Sequence, residues 1–354
     1  MKLLKADLYI LTPLFVSLKM GGLSALDIIQ VLLVSSYKKI RVKDFDYFYL
    51  SYILFCIISS LLNSQLEGIV YSLRMLPVYV VFMLTRDKIS YSKLTAVALG
   101  LCIIQLFLFP ILVYHWMAGV IAGLIGIRYI SSKRYFFALA AFTIVFLTDQ
   151  RSILIAAVVG ILFAIFNARG RYKVIWMIIV AVTIILSQQY FSSHRIAKTL
   201  ARTYSDVQFS ALTNIVSSAV KQAEKKTYEE FVYGDRFTFL GGQEEGDLSL
   251  HLRLRKWGHA ASTMKNNLST IIYGVGPSYF GKAADSSLVR LFFEVGIVGF
   301  IIFFIWYWRL IGGLWGVLSP ISVYFIFSNV FLDVIYSPLL LTFALPFLYQ
   351  LRQK

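Results

Sequence analysis

Charge is scarce in this chain: 15% of its 354 residues are Asp, Glu, Lys or Arg, against 58% hydrophobic, and its mean hydropathy is +0.73. One buried core cannot absorb so much apolar sequence, which sets the chain outside the usual mix of a soluble domain. Cysteine is limited to Cys56 and Cys102, both inside apolar runs, where they read as small hydrophobes rather than disulfide partners or metal ligands. Histidine is equally sparse. His115, His194, His251 and His259 show no metal spacing, so surface histidines are expected and no metal is assigned. The sequence also lacks a phosphate-binding glycine loop, a serine nucleophile elbow and a zinc-protease motif. No internal repeat is visible, which weighs against the many transporter folds built from repeats. The first apolar run is followed by Lys19-Met20-Gly21-Gly22 rather than a small-residue cleavage pattern, so it is expected to stay as a span.

Acidic residues are the scarcer sign, 18 against 34 Lys and Arg, a net charge of +16. In a soluble protein that excess would suggest nucleic acid. Here much of it sits in clusters at the ends of apolar runs, the positive-inside pattern, and no nucleic-acid partner is expected.

What the chain has in abundance is apolar runs of roughly 15 to 22 residues, the length a helix needs to cross about 30 Å of hydrocarbon. They predict an all-α polytopic membrane protein of about twelve spans. The spans fall near 7–20, 23–37, 45–62, 66–85, 92–113, 116–130, 134–149, 151–168, 174–191, 286–308, 311–329 and 333–350. The clusters Lys38/Lys39/Arg41/Lys43, Arg86/Lys88/Lys93, Lys133/Arg134 and Arg169/Arg171/Lys173 then share one side with both termini, the cytoplasm by the charge rule. Three regions follow: an N-terminal transmembrane bundle over 1–190, a largely helical outer loop over 191–285, and C-terminal transmembrane helices over 286–354. Within the loop, Val207–Phe231 has apolar residues at helical spacing and a polar opposite face, which predicts an amphipathic helix. A glycine-punctuated stretch carrying Glu244, Glu245 and Asp247 reads as loop. A second helix is expected from Leu248 to Asn266, and Tyr273-Gly274-Val275-Gly276-Pro277 as a turn.

Charges inside spans are costly and by default mark function. Arg74 lies well inside the fourth span; it suits a phosphate or a structural ion pair. Arg151 opens the eighth span after Asp149, where an interfacial cap is the plainer reading. Arg290 and Glu294 stand at i,i+4 spacing in the tenth span, so they can pair along one face. In the outer loop, His251-Leu252-Arg253-Leu254-Arg255-Lys256-Trp257 sets basic groups beside an indole, a combination that suits an anionic glycolipid head or an anionic lipid headgroup. Asp44-Phe45-Asp46 reads as helix capping rather than a metal pair.

Three passages in order along the chain resemble the superfamily of O-antigen polymerases (the Wzy type) and O-antigen ligases. They are Gln150-Arg151-Ser152, Arg253 four residues before Trp257, and Gly274-Val275-Gly276 followed by the run from Asp285-Ser286-Ser287 through Arg290 to Glu294-Val295-Gly296. The resemblance covers roughly the second half of the chain; before that it rests on span count and Arg74. The ligases carry a His-Asn pair where this chain has Asp285-Ser286, which favours polymerase. The resemblance implies an architecture similar to GT-C class glycosyltransferases and an inner-membrane location with the site on the periplasmic side. It implies polymerisation of undecaprenyl-pyrophosphate-linked oligosaccharide repeat units without metal or other cofactor. Arg151, Arg253 and Asp285 would be catalytic, the arginines stabilising the leaving pyrophosphate and Asp285 taking the acceptor proton, with Glu244, Glu245 and Asp247 open as alternatives. Arg74, Arg255, Trp257 and Arg290 would bind substrate. Membrane lipids and a polysaccharide chain-length regulator are the further expected partners. A ligase, or a flippase of lipid-linked sugars, is the alternative.

Overall fold

The computed structural model describes residues 19–20, 23–36, 47–107, 115–148, 150–167, 248–265, 267–280 and 286–353. The described chain is all-helical apart from a two-residue antiparallel ladder, β1 (Lys19–Met20) with β2 (Leu23–Ser24). The helices are α1 (Ala25–Ser35), α2 (Tyr47–Leu62), α3 (Leu66–Thr85), α4 (Tyr91–Phe107), α5 (His115–Ser131), α6 (Tyr135–Leu147) and α7 (Arg151–Asn167), then α8 (Leu248–Lys265), α9 (Leu268–Tyr273), α10 (Ser287–Ile311), α11 (Leu314–Val317), α12 (Pro320–Phe331) and α13 (Pro338–Arg352). Among the described residues, two helical segments, Leu66–Lys88 and Ser287–Ile311, are long and apolar enough to cross a membrane.

The chain forms two compact units, one of residues 1–54, 70–176 and 301–354, the other of 55–69 and 177–300. In the larger unit α5 is the hub, packed against α4, α6, α7, α12 and α13. Its sequence explains this. From Ala118 to Ile127 every residue is buried, so α5 is apolar all round, and Gly119, Gly123 and Gly126 remove side chains where neighbours arrive: Thr148, the Tyr324 ring and the Phe142 ring. Small residues at such crossings let backbones approach and raise dispersion contact. The gap at Gly123 is filled by Tyr324, whose hydroxyl donates to the Val120 carbonyl at 3.0 Å. Gly123→Val should therefore expel the ring and strand that carbonyl contact, lowering stability by about 2–4 kcal/mol. A thermal melt in detergent checks this, and an unchanged melting temperature would refute the packing argument.

Several expected spans look different in the structure. The run 311–329 is not one helix: Gly312 and Gly313 take φ of 82° and 89°, and Ser319 caps a new helix by accepting from the Ser322 N–H, with Pro320 in its first turn. A Ser cap followed by proline is a strong start signal, and it leaves α12 at 12 residues, roughly 18 Å of helix. At the other end of the chain, Lys19–Met20, expected to finish the first span, and Leu23–Ser24, expected to open the second, are strand, and the last expected span becomes helical only at Pro338. The remainder of the first span, the span at 174–191, the amphipathic helix at 207–231 and Asp44-Phe45-Asp46 lie outside the described residues.

Candidate functional site

The smaller unit is organised by a broken helix. Within α10, Gly296 has φ 63° and ψ −171°, so two helical pieces meet at a left-handed residue that a side chain would strain. A break like this leaves carbonyls without their i+4 donors. They are taken by the turn that follows α9: Val275 N–H donates to the Phe293 carbonyl at 2.8 Å and Gly276 N–H to the Glu294 carbonyl at 3.0 Å. The approach is backbone on backbone. A Cβ on Gly274, itself at φ 80°, would strike the Glu294 carbonyl, and one on Gly296 would strike the Ile272 carbonyl. The end of α2 completes the joint. Ser59 Oγ donates to the carbonyls of Tyr273 (2.6 Å) and Glu294 (3.2 Å), and Asn63 Nδ2 donates to that of Gly274 at 3.2 Å. The Gly274-Val275-Gly276 and Glu294-Val295-Gly296 passages, eighteen residues apart by count along the chain, are thus two halves of one structure.

Side chains lock the same joint. Arg290 Nε donates to Glu294 Oε2 at 2.9 Å with both side chains fully buried, as the i,i+4 spacing predicts. Glu294 Oε1 also accepts from the Phe280 N–H at 3.5 Å, tying the turn to α10. Ser278, two residues before Phe280 in sequence, holds φ 80° without being glycine, a conformation that costs on the order of 1–3 kcal/mol and persists only where its surroundings fix it.

Next to the turn stands α8, the helix bearing the basic and indole cluster. Trp257 and Tyr279 pack on a small core of Ala260 and Phe280, with Phe293 of α10 against it. Arg255 and Lys256 are buried at 3% and 7% exposure. Arg253 is half-buried, and its Nε is shut off from solvent with no hydrogen-bond partner among the described residues. His259 corrects the expectation of a surface histidine. It is 8% exposed because it lies on the face of α8 that meets the turn, where Nδ1 hydrogen-bonds the Tyr279 hydroxyl. Thr263 Oγ1 is 3.2 Å from the same hydroxyl and donates to the His259 carbonyl at 3.0 Å. Burial pushes the Tyr279 phenol up to about 12, so it keeps its proton near neutrality. Only the pairing with a turn twenty residues away makes His259 inward, and sequence spacing carried no sign of that.

Four of the predicted site residues, Arg253, Arg255, Trp257 and Arg290, fall in this unit. Arg74, half-buried near the middle of α3, and Arg151, the first residue of α7, belong to the other unit. Asp285, Glu244, Glu245 and Asp247 lie outside the described residues. What the site offers chemically is cationic: guanidinium and ammonium groups largely withdrawn from water, beside an indole, on a helix fixed to a rigid turn. Such groups stabilise anionic oxygen, phosphate above all, more strongly than they would in water. No protein-family model, curated protein or solved structure matches the chain, so the functional reading rests on these residues and their geometry.

Proposed function

We propose that the chain is a polytopic inner-membrane glycosyltransferase of GT-C-like architecture that polymerises undecaprenyl-pyrophosphate-linked oligosaccharide repeat units at the periplasmic face. The observation that carries this reading is the face of α8, where Arg253 keeps a guanidinium nitrogen out of solvent with no partner among the described residues, close in sequence to buried Arg255 and Lys256 and to Trp257. Large apolar side chains exposed on the helices support the membrane setting: Leu61, Leu66, Phe136, Leu139, Ile301 and Trp308 all face outward, an arrangement that suits lipid rather than water. The reading takes the remaining apolar runs as spans, about twelve in all, with both termini cytoplasmic.

In the proposed reaction a sugar hydroxyl of one lipid-linked unit attacks the anomeric carbon at the pyrophosphate end of another chain. The new glycosidic bond forms as the bond to pyrophosphate breaks, undecaprenyl pyrophosphate leaves with the electron pair, and the hydroxyl proton passes to a carboxylate, assigned to Asp285 by resemblance. Arg253 stabilises the charge growing on the leaving group, the term that preorganised cations lower most. Arg255 and Trp257 hold the pyrophosphate and sugar. Arg290, enclosed with Glu294, supports this surface by fixing the turn.

The test is incubation of the purified chain, in detergent or liposomes, with a synthetic lipid-pyrophosphate repeat unit. A ladder of products spaced by one repeat is expected. A single transfer to a different acceptor would replace the polymerase reading with a ligase, and lipid translocation without any new glycosidic bond would replace it with a flippase.

A further inference from the structure

The hydrogen bonds around His259 fix where its protons stand. Thr263 Oγ1 donates to the His259 carbonyl, one turn back along α8, at 3.0 Å, and a threonine hydroxyl has a single proton to give. The 3.2 Å contact between Thr263 Oγ1 and the Tyr279 hydroxyl is then donated by Tyr279, which keeps its proton because burial holds the phenol up at about 12. That spends the phenol's own proton. The bond between the Tyr279 oxygen and His259 Nδ1 is therefore donated by the imidazole. Nδ1 carries a hydrogen in either charge state, and Nε2 is the nitrogen that gains and loses the second proton. The relay runs from imidazole to phenol to threonine and back to the histidine's carbonyl, and it holds the ring through Nδ1.

Helical spacing sets the company of that ring. Arg255 and Lys256 stand four and three residues before His259, positions that share its face of α8, and all three are buried, at 3%, 7% and 8% exposure. Tyr279 faces the ring from the turn, and behind Phe280 stands the enclosed pair of Arg290 and Glu294. An imidazolium would add a third positive charge to the α8 face, and a nearby anion favours that charged form. The pyrophosphate that the glycosyl-transfer reading brings to this face is such an anion. A bond from Nε2–H to one of its oxygens would be charge-assisted on both sides, the strong kind.

We propose that His259 is a further ligand of the donor pyrophosphate, bound as an imidazolium whose Nδ1–H holds Tyr279 and whose Nε2–H donates to a phosphate oxygen, so that the site takes up a proton together with its anion. The identity of that anion rests on the glycosyl-transfer reading. The test uses the purified full chain in detergent with farnesyl pyrophosphate as the probe, at about pH 7.5, above the second ionisation of a phosphate. Calorimetry in two buffers of different ionisation enthalpy counts the protons exchanged. The wild type should take up a large fraction of one proton per anion bound, and its affinity should fall as pH rises, because the proton belongs to the bound state. His259→Asn keeps an N–H where Nδ1–H stood and has nothing to protonate, so it should bind roughly tenfold more weakly and without uptake. Tyr279→Phe lets the neutral ring carry its hydrogen on Nε2 instead; it should bind with much less uptake, and it tests the same tautomer should the asparagine variant fail to fold. Binding by the wild type without uptake, or uptake undiminished in the variants, would overturn the role of His259 and leave the polymerase reading standing. Failure of the wild type to bind the probe would overturn the pyrophosphate site itself, and this role with it.

Discussion

Glu294→Ala should destabilise the chain more than any other single replacement of a charged residue in the smaller unit. The carboxylate is fully buried, pairs with a fully buried Arg290 at 2.9 Å, and accepts from the Phe280 N–H. Removing it leaves a guanidinium in the interior without its anion, a loss of about 3–5 kcal/mol where such pairs are broken from one side. The turn also loses its side-chain tie to α10 just where Ser278 is held at φ 80°, so the strained residue relaxes and the turn loosens with it. Glu294→Gln preserves volume and the bond to Phe280 and removes only the charge; its effect should lie between the wild type and alanine. The double change Arg290→Met/Glu294→Leu removes both charges together and should recover much of the stability, because two apolar groups of similar size carry no desolvation penalty. Melting temperatures of the four proteins in one detergent decide it. If the double variant is no more stable than Glu294→Ala, the ion pair is needed for more than mutual neutralisation and the argument fails.

The pairing of Arg290 with Glu294 was legible because i,i+4 spacing on a helix is a local geometric fact. Most helices of the larger unit were legible for a similar reason: a continuous apolar run flanked by charge allows few other conformations. The break at Gly296 was not. Its cause is a turn twenty residues upstream whose N–H groups satisfy the freed carbonyls, and a glycine within an apolar run carries no mark of a partner elsewhere. The inward face of His259 escaped for the same reason, since the Tyr279 that receives it is set by that turn. The break at 312–319 was within reach: Gly312-Gly313 and Ser319-Pro320 are stop and start signals, outweighed by the apolar length of the run. The basic cluster of α8 was legible as a cluster; that Arg255 and Lys256 would be buried was not, because a helix in a polar loop carries no expectation of enclosure.

Arg253→Ala should abolish the polymer ladder while leaving the fold in place. Arg253 is half-buried on α8 and takes no part in the bonds that join the turn to α10, so its melting temperature should stay close to that of the wild type, in contrast with Glu294→Ala. Loss of one preorganised donor at a leaving group costs roughly 100- to 1,000-fold in turnover, enough to erase a ladder that needs many successive transfers. Arg253→Lys supplies charge without the planar fork and should restore turnover only in part. If charge on the leaving pyrophosphate is what Arg253 serves, alanine should lower kcat with little change in KM, because the interaction strengthens only as the bond breaks. A raised KM with unchanged kcat would instead make Arg253 a ground-state anchor and move the catalytic role elsewhere. A full ladder from Arg253→Ala would remove α8 from the chemistry altogether, and its buried cations would then have to be explained as packing.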